Sequence, residues 1–167
     1  PSGTIQRRAC GDWSDPTRWS GGIVANGPSF LADFSTINIT ANRTVTLDSA
    51  RSITTLRFDD TSGGQNWTLD TSEGSVLTLD AGSAASPVIA VNQNTATIRA
   101  PLEGVSGFTK NGGGTLVLSA ENPLSGTVFL DRWADGSALN DGAVRVTDSG
   151  ALANVTQLSL RNTSVTT

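Results

Sequence analysis

Along this chain the apolar positions recur as pairs separated by one residue. They are Ile37-x-Ile39, Val45-x-Leu47, Leu56-x-Phe58, Trp67-x-Leu69, Leu77-x-Leu79, Ile89-x-Val91, Leu116-x-Leu118, Val128-x-Leu130, Val144-x-Val146 and Leu158-x-Leu160. Each pair puts two side chains on one face of a short strand and the residue between them on the other. Centres lie mostly about 8 to 12 residues apart, the spacing of short strands joined by turns in a sandwich, a barrel or a solenoid. No stretch keeps an apolar period of about 3.6 residues for long enough to make an amphipathic helix.

Three near-copies of one tetrapeptide separate these architectures. Val45-Thr46-Leu47-Asp48, Trp67-Thr68-Leu69-Asp70 and Leu77-Thr78-Leu79-Asp80 share the pattern apolar-Thr-Leu-Asp, at intervals of 22 and 10 residues. The longer interval suits one coil of a parallel β-helix, and the shorter one suits a strand plus its corner. In such a coil the apolar pair points inward and the Thr outward. The Asp stands at the corner, where its carboxylate bonds nearby backbone N–H groups. A β-sandwich or jelly roll is the alternative, but it has no need of this repetition. The expected organisation is an N-terminal cap segment over residues 1–35, then solenoid coils over 36–167 with an inserted loop at 131–142.

The cap assignment rests on Asp12 to Gly22, DWSDPTRWSGG, where Trp13 and Trp19 flank a Ser-Asp-Pro turn. A solenoid exposes the core of its first coil, and two large aromatics at the chain start can cover it. An aromatic platform for sugars is the competing use. The inserted loop, DRWADGSALNDG, is polar and Gly-punctuated, and Arg132, Trp133 and Asp135 mark it as the candidate ligand or partner surface.

The stretch Gly107–Leu130, GFTKNGGGTLVLSAENPLSGTVFL, reads as a strand–turn–strand unit. Leu116 and Leu118 are core residues, Gly112 and Gly114 belong to a corner, and Asn122 is placed to make an Asx turn ahead of Pro123. Gly126 releases the chain into the next strand. A phosphate-binding loop is excluded, since that needs Lys-Ser/Thr after the glycines and a helix beyond, whereas here Lys110 precedes and a strand follows.

Composition agrees with β structure. The chain holds 22 Thr, 19 Ser and 18 Gly but one Lys, and β-branched residues fit a pleated surface. A net charge of −4 leaves no basic footprint for a nucleic acid. No apolar run approaches the roughly 20 residues of a membrane-spanning helix. Without histidine, Ser-His-Asp triads and histidine metal sites are ruled out, and the lone Cys10 makes neither an internal disulfide nor a zinc site. Carboxylate chemistry remains, with Asp59-Asp60 and the loop acids Asp131, Asp135 and Asp141 as candidates. Asp59-Asp60, followed by Thr61-Ser62-Gly63-Gly64, reads as a structural corner, with a Ca²⁺ or catalytic site as its competitor. No catalytic residue, metal ligand or cofactor is assigned. The N-x-S/T triplets at Asn38, Asn42, Asn66, Asn154 and Asn162 are expected by chance in so Thr-rich a chain.

Gly107-Phe108-Thr109-Lys110-Asn111-Gly112-Gly113-Gly114-Thr115-Leu116-Val117-Leu118-Ser119, continued by Asn122, Ser125-Gly126-Thr127, Gly142-Ala143-Val144-Arg145-Val146 and Gly150-Ala151-Leu152, resembles the autotransporter-associated β-strand repeat of secreted bacterial β-helix proteins. Trp13…Trp19-Ser20, Pro28 and Asp33-Phe34 are similar to the lead-in that precedes such repeats. Leu124 stands where the repeat usually has Tyr, and the 131–142 loop is an insertion. The resemblance implies a right-handed parallel β-helix, secreted or exposed on a bacterial surface and outer-membrane associated in its full-length context. It implies a non-enzymatic structural segment, a passenger or fibre subunit associating end to end with itself or with other surface components. A carbohydrate-binding adhesin module is the alternative, and a polysaccharide-degrading enzyme the third reading.

Overall fold

A computed structural model describes residues 2–6, 10–82, 86–132 and 142–162. The chain opens with β1 (Ser2–Thr4) and β2 (Gly11–Asp12), followed by β3 (Leu31–Phe34), β4 (Arg43–Leu47) and β5 (Arg51–Ile53). Two similar passes follow: β6 (Thr55–Phe58), β7 (Trp67–Thr71) and β8 (Leu77–Leu79), then β9 (Val88–Val91), β10 (Thr95–Ile98) and β11 (Leu102–Glu103). The last elements are β12 (Phe108–Asn111), β13 (Thr115–Leu118), β14 (Gly126–Arg132), β15 (Ala143–Val146) and β16 (Val155–Asn162).

These strands form three sheets, and the chain visits them in rotation. The first sheet runs β1-β3-β6-β9-β12-β14-β16, the second β2-β4-β7-β10-β13-β15 in space, and the third β5-β8-β11. Every pairing between these strands is parallel. The protein is therefore all-β with parallel sheets, an arrangement compatible with a solenoid. A jelly roll, built of antiparallel hairpins and Greek keys, is not what these pairings make. Nor is Gly107–Leu130 a hairpin: β13 and β14 lie in different sheets, and β14 pairs with β12.

Register aligns like with like. In the first sheet Ala32, Leu56, Ile89, Lys110, Leu130 and Leu160 occupy one column, and in the second Val45, Leu69, Ile98, Leu118 and Val146 do so. Each buried apolar side chain in such a column contributes about 1.5–3 kcal/mol of hydrophobic stabilisation. The chain length between partners varies widely, from Phe108 to Val128 in one pass and from Thr55 to Val88 in another. Connections absorb the difference and the ladder does not.

Two expectations shift. The tetrapeptide interval of 22 would set Val45 beside Trp67, but Val45 pairs with Leu69 and Arg43 with Trp67. A slip of two residues preserves which side chains face inward, so the apolar pattern alone cannot distinguish the two registers. Ile37-x-Ile39 lies in the connection before β4 rather than in a strand, with Ile39 fully buried and its N–H held 3.0 Å from Asp60 Oδ1.

The segment 1–35 is not separate from the sheets. β1 and β2 pair with β3 and β4, and β3 itself falls inside the segment. Between β2 and β3 the chain crosses the end of the core. Trp13 and Trp19 are both fully buried, with ring centroids 5.2 Å apart, and each packs on Phe34 at 5.5 and 5.6 Å. Phe34 stacks on Phe58 at 5.3 Å and touches Trp67 at 5.5 Å, which joins the cap to the next two passes. Both indole N–H groups are satisfied, Trp13 on the Ala25 carbonyl at 2.9 Å and Trp19 on the Trp13 carbonyl at 2.7 Å. Ser14 fastens this segment to the next pass by donating its N–H (3.0 Å) and its hydroxyl to the Asp48 carboxylate.

Because Phe34 is the ring all these aromatics share, Phe34→Ala is expected to lower unfolding free energy by about 3–5 kcal/mol in chemical denaturation. An equal loss from Phe34→Ala and from truncating a peripheral core residue such as Val91 would show that the cluster has no central member.

Candidate functional site

The repeat-like segment forms a corner between the first and second sheets. β12 ends at Asn111, the chain turns through Gly112–Gly114, and β13 begins at Thr115. Two glycines are required by contact as well as by dihedral angle. Gly107 (φ 65°) lies so close to β14 that an added Cβ would overlap the Thr127 carbonyl oxygen, and Gly112 (φ 82°) lies likewise against the Val91 carbonyl oxygen. Gly114 donates its N–H to that same Val91 oxygen at 2.8 Å. Leu116 and Leu118 are buried in the core, as expected. Gly126 begins β14, close against Gly107.

Lys110 takes a core position that its neighbours in register fill with Ile89 and Leu130. It is 2% exposed. Its stem lies in the column and its ammonium curls to the corner, donating to the carbonyls of Asn111 and Gly112 at 2.8 Å each. Gly142 seals this site from the following pass, since an added Cβ there would sit 2.8 Å from Lys110 Nζ and overlap the Gly112 carbonyl oxygen. The corner is a packed joint without a cleft.

Burial holds the Lys110 ammonium down from its ordinary 10.5 to about 8. Between those values the unfolded chain keeps a proton that the folded chain has shed, so stability rises as pH climbs from about 8 to about 10.5. Below about 8 the folded state carries the full cost of a buried cation. The Asp48 carboxyl is also lowered, so stability likewise rises with pH, but here because the charged form is favoured. Burial alone would raise its carboxyl, but the Ser14 hydroxyl and N–H, its own N–H and the Arg51 charge outweigh that and leave it below its ordinary 3.8. Its contribution is present above that value and is lost as pH falls below it.

Asn122 does not make an Asx turn. It is 1% exposed and spans three passes: its Oδ1 accepts the Leu102 N–H at 2.8 Å and its Nδ2 donates to the Ala151 carbonyl at 2.9 Å. The third sheet ends at β11, and beyond it this carboxamide adds to backbone bonds such as Leu124 N–H to the Leu102 carbonyl (3.1 Å) and Ser125 N–H to the Gly104 carbonyl (2.9 Å). The same device recurs at the entrance to the second sheet. Asn42 Oδ1 accepts the Asn66 N–H and Asn66 Oδ1 accepts the Thr95 N–H, both at 2.9 Å. The N-x-S/T triplets had drawn attention to Asn42 and Asn66 for another reason. The spacing of the asparagines by one pass was the available signal.

Of the carboxylate candidates, Asp59 and Asp60 are built into a corner, while Asp135, Asp141 and the side chain of Asp131 lie outside the described residues. Asp59 accepts from the Asp60 N–H at 2.8 Å and from Asn92 Nδ2 at 2.9 Å. Asp60 is 1% exposed and receives the N–H groups of Ile39 at 3.0 Å and Gln65 at 3.3 Å. A shallow groove of about 500 Å³ crosses the third sheet beside Asp80, Glu103, Val105 and Pro123. Asp80 accepts the Gly82 N–H at 2.7 Å and Glu103 the Thr78 hydroxyl at 2.5 Å. Among the described residues, no three His, Cys, Asp or Glu side chains gather as a metal site.

The aromatics expected at a ligand surface divide. Trp13 and Trp19, fully buried, offer no ring face to a sugar. Arg132 ends β14, its backbone opposite Asn162, while its side chain and all of Trp133 and Asp135 lie outside the described residues. No described helix is long and apolar enough to cross a membrane. The conspicuous surface is at the last strands. Among the described residues β15 and β16 each have one pairing partner, and Val146, Leu158 and Leu160 are 42%, 55% and 75% exposed at the ends of core columns. Comparison with family models, with curated proteins and with solved structures finds no match to this chain.

Asn122→Ala, which strips partners from Leu102 and Ala151 together, is expected to cost about 2–4 kcal/mol. Asn122→Asp, which keeps the acceptor and sets a carboxylate against the Ala151 carbonyl, is expected to cost at least as much at neutral pH. Lys110→Met is expected to stabilise the protein by about 1–2 kcal/mol at neutral pH and to abolish the rise in stability at alkaline pH. Chemical denaturation across that pH range checks both.

Proposed function

We propose that this chain is a non-enzymatic structural segment of a secreted or cell-surface bacterial protein, a right-handed β-solenoid of the autotransporter-passenger or fibre type. The carrying observation is the rotation of the chain through three parallel sheets with like residues stacked in register. Parallel strand–crossover–strand connections are right-handed in nearly all proteins, which supports the hand assigned. The motif Gly107–Gly126 serves as scaffold: its leucines fill the core, its glycines allow close approach, Lys110 fastens its own corner, and Asn122 ties successive passes together. The two ends differ in kind. Trp13 and Trp19 cover the core at one, and at the other the last described strands expose Val146, Leu158 and Leu160. Long edges without Pro, Lys or inward charge are the ones that add further strands.

The scaffold reading places the protein outside the cell. Antibody labelling of unpermeabilised source cells is expected to stain them, and staining only after permeabilisation would remove the surface assignment. Association end to end, through β15 and β16, is expected to raise the sedimentation mass with concentration. Leu158→Lys with Leu160→Lys would restore the mass of a single chain. A concentration-independent single chain for the unaltered protein would remove the association and leave the scaffold standing.

A further inference from the structure

The chain contains two Asn-Gly steps, Asn26–Gly27 and Asn111–Gly112. Such a step is chemically exposed because glycine has no side chain to shield its nitrogen from the preceding carboxamide carbon. The two are held very differently. At Asn26, Oδ1 accepts the Ser52 N–H at 3.1 Å, and the Gly27 N–H donates to the Ser52 carbonyl at 2.6 Å. Both reacting groups are pinned to β5.

At Asn111 neither restraint operates in the same way. Asn111 is the last residue of β12, and its Oδ1 is buried without a hydrogen-bond partner among the described residues. Gly112 has left the strand and turned into the left-handed region at φ 82°. The Lys110 ammonium lies 2.8 Å from the Asn111 carbonyl oxygen, which belongs to the same peptide unit as the Gly112 nitrogen. A cation bonded to that carbonyl draws electron density out of the amide and makes its N–H easier to deprotonate.

We propose that Asn111–Gly112 is a site of spontaneous self-modification in the folded chain, with Lys110 as its positioning and activating residue. The Gly112 nitrogen loses its proton and bonds to Asn111 Cγ. The bond from Cγ to Nδ2 breaks, and ammonia leaves with the proton, giving a five-membered succinimide. Water then adds across one of the two ring C–N bonds, yielding aspartate or isoaspartate. The aspartate product adds a negative charge next in sequence to the buried Lys110. This reaction is independent of any role the protein has at a cell surface.

The test ages the full chain at about pH 7, where Lys110 is charged, folded and in guanidinium, and follows by mass spectrometry the amide-to-acid conversion of the proteolytic peptides carrying Asn26 and Asn111. Folding is expected to slow conversion at Asn26 by at least about tenfold and to leave Asn111 within about threefold of its unfolded rate. Lys110→Met is expected to slow Asn111 several-fold in the folded chain and to change nothing in guanidinium. Equal protection of the two steps by folding, or a folded-state Asn111 rate indifferent to Lys110→Met, overturns the proposal.

Discussion

Parallel register between successive passes is the constraint on which this protein depends. The passes differ in length, yet each must deliver its strands to fixed positions on the sheets it joins, because a slip by one residue would turn a core column out to solvent. The ladder fixes height and the connections take up slack. That division explains why excess chain gathers between strands, and why the strands themselves stay short. It also explains where unusual side chains sit. Glycines occur where backbone must touch backbone, and Asn122, Asn42 and Asn66 sit where a side chain adds to the backbone bonding between passes.

The cap is a second expression of the same constraint. A stack of parallel passes has a first member whose inner face would otherwise be bare. Here β1 and β2 already belong to the sheets, and the chain between β2 and β3 turns inward to lay two indoles on Phe34. Cap and stack therefore share one continuous core. The Ser14–Asp48 contact adds a polar tie at the rim.

Much of this architecture was legible in the residues. The apolar pairs marked eight further strands besides Leu158-x-Leu160, and the paired tryptophans and the Gly-rich corner pointed to closure and stacking. Other strands were hidden for identifiable reasons. β12 buries Lys110 at an inward position, so its pattern lacks the second apolar residue, and β10 uses the small Ala96 beside Ile98. The true offset between β4 and β7 escaped because the Thr-Leu-Asp text matches two residues away from the structural register. Asn122 was read locally, as a turn former, because its real partners at Leu102 and Ala151 lie one pass before and one pass after it. Sequence shows what a side chain prefers nearby more readily than what it reaches across a stack. The candidate surface around Arg132, Trp133 and Asp135 rests on sequence alone.

The difference between the two ends gives the molecule a direction. At the first end two indoles cover the core beside the edge strands β1 and β2, whereas at the edge of β15 and β16 the apolar spacing of the earlier strands stands exposed. The stack thus has a covered face and a bare one. Each completed turn becomes the mould for the next, and a break in the series leaves everything beyond it without a surface on which to form.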